Sequence, residues 1–142
     1  MSQCCGQDDV LLFACSGGSN VGQIANDAAK ALDQLGQGSM YCLIGLGAQL
    51  PPFVERTKKE GTTVVTIDGC GVACAKKALE NVGVESDVYV VVTDLGIEKG
   101  HHFDIPNEQV AEVADATAKA LAQACGGATS TDESGCGCGC CG

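Results

Sequence analysis

The chain has 142 residues, 45% of them apolar, with no tryptophan and a formal net charge of −10 at pH 7. That length suits a single domain with a sizeable core. The charge speaks against nucleic acid and anionic membrane as partners, because both are met by clustered Lys and Arg, and Arg56 is the one arginine here. No apolar run reaches the roughly 20 residues that span a bilayer, and Met1-Ser2-Gln3-Cys4-Cys5-Gly6 lacks the charged-then-apolar order of a secretory signal. A cytoplasmic protein is therefore expected.

In chain order, residues 10–14 form a short apolar run that reads as a strand, broken at Cys15-Ser16-Gly17-Gly18. Asn20 is suited to cap a helix whose apolar face is Ile24, Ala28, Ala31, Leu32 and Leu35, with Gly36 ending it. A second strand is expected over 40–44, ending in Gly45-Leu46-Gly47. Pro51 and Pro52 fit the start of a helix and Gly61 its end. Residues 62–67 are rich in β-branched side chains and stop at Asp68-Gly69, and 72–82 read as a short helix. Residues 88–92 are apolar at every position, the mark of a strand covered on both faces. A last helix is expected over 107–124, with Val110, Val113, Ala114, Thr117 and Leu121 on one side. Strands and helices alternating at this spacing predict an α/β fold. We expect a three-layer, Rossmann-like or flavodoxin-like domain, with about four mainly parallel strands and helices on both faces. Residues 10–125 are expected to form that domain, 1–9 a flexible cysteine-containing arm and 126–142 a flexible Gly/Cys-rich tail, since the tail lacks apolar periodicity.

Eleven cysteines are the main chemical signal. In a reducing compartment a disulfide framework is not expected, and metal binding or thiol chemistry is the usual reason to keep so many. A parallel sheet delivers the C-terminal end of every strand to one edge, where open α/β sheets bind ligands. Cys15 lies just past the first strand, Cys42 late in the second, Cys70 just past the third, and Cys74 one helical turn beyond Cys70. Neighbouring strands are roughly 4.8 Å apart, and a tetrahedral zinc–sulfur site has bonds of about 2.3 Å. Four sulfurs so placed are within reach of one zinc ion or another thiophilic ion. Helix N-termini at that edge favour thiolate.

The loop Ser16-Gly17-Gly18-Ser19-Asn20-Val21-Gly22 offers backbone N–H groups to an anion, although a tight turn is the plainer reading. It lacks the dinucleotide and P-loop glycine patterns, and Val21 stands where a phosphatase-type cysteine loop needs arginine.

Three motifs in order, Cys15-Ser16-Gly17-Gly18, Cys42-Leu43-Ile44-Gly45-Leu46-Gly47 and Ile67-Asp68-Gly69-Cys70 followed by Cys74, resemble the DGC-domain family, named for its Asp-Gly-Cys triplet and regarded as zinc-binding. The resemblance runs from about residue 10 to 99. It implies that Cys15, Cys42, Cys70 and Cys74 are the family's four-cysteine set, and it implies no particular reaction.

Asp68, Asp94 and His102 are candidates to stand behind these ligands. For both acids a turn-forming role is the plainer reading, and for the histidines and Lys99 a solvated surface is. In the tail, Cys136, Cys138 and Cys140 are spaced by flexible glycine and Cys141 follows directly, and with Cys4 and Cys5 they form a candidate second thiolate site for a soft ion. The function expected is binding of zinc or another thiophilic metal, for sequestration or delivery, with a protein partner that gives or takes the ion. The alternative is thiol-based sulfur transfer or disulfide exchange. Four cysteine ligands lean away from hydrolytic catalysis, which keeps a coordination position open.

Overall fold

In the computed structural model, residues 9–126 are described; the cysteines at 4, 5, 136, 138, 140 and 141, and the arm and tail that carry them, lie outside the described residues. Four strands, β1 (Val10–Ala14), β2 (Ser39–Met40), β3 (Thr63–Asp68) and β4 (Val88–Val91), form one parallel sheet in the order β2-β1-β3-β4. The central strand β1 pairs Val10 to Ala14 with Thr63 to Ile67 of β3, and all five of its residues are buried.

Alternation along β1 divides the core into two. Val10, Leu12 and Ala14 point to one face, where they meet Ile24, Ala28 and Leu32 of α1 (Asn20–Gln34) and Val113, Ala114 and Leu121 of α5 (Asn107–Cys125). Leu11 and Phe13 point to the other, against Leu46 of α2 (Leu43–Gly47) and Leu79 of α4 (Cys74–Asn81), with Val54 of α3 (Pro51–Lys58) packed on the same cluster. Helices thus cover both faces, and the expected three-layer α/β architecture with four parallel strands is present.

Several elements differ from the sequence reading. The second strand stops at Met40, and Cys42 is not in a strand: its sulfur accepts the Gly45 N–H at 3.2 Å and so caps α2, which occupies residues read as strand. Gly45 fits this helix because a Cβ there would lie 2.9 Å from the Phe53 ring. Residues 88–92 are not a strand covered on both faces. β4 is the sheet edge, its last three residues are only partly buried, and Val92 is buried in the 3₁₀ turn (Val92–Leu95) that follows. Ser19, not Asn20, caps α1, accepting the Gly22 N–H at 3.2 Å. Leu35 has left the apolar face and is 71% exposed, because α1 ends at Gln34 and Gly36 turns the chain with a φ of 74°. Finally, α4 begins at Cys74 and not at Val72, because Ala73 just before it is left-handed, with a φ of 59°.

Candidate functional site: a sulfur edge at the C-terminal ends of the strands

The edge is built from the ends of β1 and β3. The Cys15 N–H donates to the Ile67 carbonyl at 2.9 Å, which carries the β1–β3 ladder one residue past the strand and fixes the cysteine's backbone. β3 then delivers Asp68-Gly69-Cys70, and each residue of the triplet has its own task. The Asp68 carboxylate is fully buried and accepts the N–H groups of Ala75 at 2.9 Å and Lys76 at 3.0 Å, with the Tyr89 hydroxyl donating to it at 3.0 Å. It satisfies N–H groups that the first turn of α4 cannot satisfy itself, and so it orients the helix that begins with Cys74. A Cβ on Gly69 would lie 2.8 Å from the backbone of Val21 and Gly22, so glycine lets the first turn of α1 close on β3. Cys70 supplies sulfur. The role of Asp68 is thus larger than a turn former.

Cys15, Cys42, Cys70 and Cys74 are all free thiols. Cys15 and Cys70 are partly buried, whereas Cys42 and Cys74 are exposed. Burial pushes the Cys15 thiol up from its ordinary value; a Gly69 N–H bond opposes this, and the charges of Asp68, Cys74 and Cys70 add to the rise. The structure therefore brings Cys15, Cys70, Cys74 and Asp68 into one electrostatic neighbourhood. Cys42, beyond β2 on the other flank of β1, is not among the groups that act on Cys15. Among the described residues, no three Cys, His, Asp or Glu side chains are already gathered as a ligand set. By donor chemistry alone, reduced sulfurs suit a soft ion, and Cys15 and Cys74 sit on backbone held by the sheet and by the Asp68 cap of α4.

Of the other candidates, Asp94 is exposed and acts on Tyr89, and it is not among the groups that act on Cys15. Tyr89 titrates well above the ordinary tyrosine range, through burial first and then the Asp68 carboxylate it bonds. His102 is exposed, with its ring against Gly100. It is His101 that reaches across the edge, its Nδ1 2.6 Å from the Gly18 carbonyl. Lys99 is not simply solvated, because its ammonium donates to Cys70 Sγ at 3.4 Å.

Asn20, read from sequence as a cap, is buried and clamps the chain after β4. Its Nδ2 donates to the Glu98 carbonyl at 2.8 Å, and its Oδ1 accepts the Gly100 N–H at 2.7 Å. Its own N–H donates to the Gly100 carbonyl at 3.1 Å. With Gly22 N–H on Ser19 and Gln23 N–H on the Ser19 carbonyl, much of the first turn of α1 is already hydrogen-bonded, which favours the tight-turn reading of the glycine loop over an anion cradle. Neither the clamp nor the Lys99 contact leaves a periodic or spacing signal, because both join residues about 80 or 30 positions apart.

Among the described residues, no helix is long and apolar enough to cross a membrane. No solved structure matches the chain. The anaerobic and virulence modulator AnvM of Pseudomonas aeruginosa is 35% identical over 94 residues, which cover 66% of this chain and 71% of that protein. The DGC domain family matches residues 11–117, a span that takes in Cys15, Cys42, the Asp68-Gly69-Cys70 triplet and Cys74 with the sheet that positions them, and the chain belongs to that family.

Proposed function

We propose that the protein binds a thiophilic metal ion, zinc first, at the C-terminal edge of the sheet, with Cys15, Cys70 and Cys74 as ligands and Cys42 as the fourth. The observation that carries this reading is that Cys15 lies within electrostatic reach of both Cys70 and Cys74, all as free thiols. Bound zinc would supply four-coordinate closure, which suits holding an ion more than hydrolysis. The chain's own part is to deprotonate and orient the sulfurs. Burial raises the Cys15 thiol above its ordinary value, and the Gly69 N–H is placed to stabilise its sulfur once the proton leaves. Asp68 keeps Cys74 in place through α4.

The role is sequestration or delivery of the ion in the cytoplasm, with a protein partner that exchanges it and the tail thiols as a second site. Native mass spectrometry of protein purified without added metal tests this, with Cys15, Cys42, Cys70 and Cys74 each changed to Ser. One ion lost in each variant is expected. An ion count unchanged in the Cys15, Cys70 and Cys74 variants would remove the proposal. Deleting residues 126–142 should lower the count further, and an unchanged count would remove the second site.

A second reading, thiol-based sulfur transfer or disulfide exchange, draws on one contact. Lys99 sets an ammonium beside Cys70 Sγ, the kind of partner a nucleophilic sulfur has. An apo protein with Cys70 as its one fast-reacting thiol would favour that reading over metal binding.

A further inference from the structure

We propose that Lys99 is the counter-cation of the sulfur site and that Asn20 is the positioning residue that holds it there; this rests on the metal reading above. Lys99 is exposed, and an exposed lysine ordinarily samples many rotamers. Here the chain on both sides of it is fixed. Asn20, 3% exposed, uses both ends of its amide on Glu98 and Gly100, and its backbone N–H on Gly100 as well. One residue further on, the His101 ring meets the Gly18 carbonyl at 2.6 Å. The segment after β4 is thus fastened to the loop after β1, and the fastening brings the Lys99 ammonium to 3.4 Å from Cys70 Sγ.

The chemistry gives this contact a purpose. Thiolates gathered around one divalent ion leave the centre with net negative charge, and Asp68 adds a carboxylate to the same neighbourhood of a chain that is already acidic. A hydrogen-bonding ammonium on one ligand sulfur offsets that charge, and groups that bond to metal ligands tune affinity by about 10–100-fold. Because the lysine is exposed, its effect belongs at the lower end of that range. The opposite arrangement, in which Lys99 competes with the ion for the Cys70 sulfur, gives the opposite sign and is separable by experiment.

The test is zinc competition against a chromophoric chelator in the full-length chain, following the ion that is absent from C70S. K99Q should hold that ion about tenfold more weakly, and K99R should restore it. N20A, which keeps the charge but releases the segment, should resemble K99Q. The gap between wild type and K99Q should narrow as salt is raised, a response that loss of packing would not give. Unchanged or tighter binding in K99Q overturns the proposal. Since Lys99 is exposed, K99Q carries the test even where N20A fails to fold. If wild type and C70S bind the same amount of zinc, the metal reading itself fails, and this inference falls with it.

Discussion

At Cys15, half-burial and the nearby Asp68 carboxylate hold the thiol above its ordinary range, against the pull of the Gly69 N–H. Since the thiolate is the reactive form, Cys15 in metal-free protein should be alkylated by a neutral reagent at pH 7.5 more slowly than the exposed Cys74, as read by peptide mass spectrometry. Equal rates would contradict the burial argument. Tyr89 has a pH consequence of its own. Its folded pKa lies above the unfolded value of roughly 10, so the neutral phenol's contribution is complete below that pH and is lost as pH rises beyond it. Wild-type stability should therefore fall steadily as pH rises above about 10. In Tyr89→Phe that part of the slope should vanish, with a loss near neutral pH of about 1 kcal/mol for the hydrogen bond to Asp68. Denaturant melts across this range check both.

At the scale of elements, the junction from β3 to α4 is where folding and site geometry coincide. Asp68→Ala removes the acceptor of two helix N–H groups and of the Tyr89 hydroxyl. Loss of a helix cap together with a stranded buried donor should cost about 2–4 kcal/mol in urea unfolding. A loss under about 0.5 kcal/mol would mean that Asp68 does not hold α4. This junction was only half legible in sequence. Asp68-Gly69-Cys70 marked the end of a strand, but capping at Ala75 and Lys76 depends on how the helix folds back. The end of the second strand departs from its local pattern for a similar reason. Apolar residues at 40–44 suit a strand, and what converts them is Cys42 capping α2 and Gly45 lying against Phe53. Strand β4 carried an interior-strand pattern on an edge position, since strand order leaves no trace in local composition.

For the whole molecule, the parallel sheet followed from the alternation of strand and helix signals, and with it the prediction that cysteines far apart in the chain lie at one edge. The order β2-β1-β3-β4 refines that picture. β1 and β3 are neighbours, which places Cys15 with Cys70 and Cys74, while Cys42 follows β2 on the far flank of β1. Lys99 and Asn20 escaped sequence reading because their meeting depends on the segment after β4 crossing to the loop after β1. Cadmium NMR of the full-length chain, loaded with one equivalent of cadmium, reads the convergence of these sulfurs most directly through coupling of the metal to cysteine Cβ protons. One cadmium resonance coupled to Cys15, Cys70 and Cys74 together is the expected result. A resonance coupled to none of them, or separate resonances for Cys15 and Cys70, would contradict a shared site.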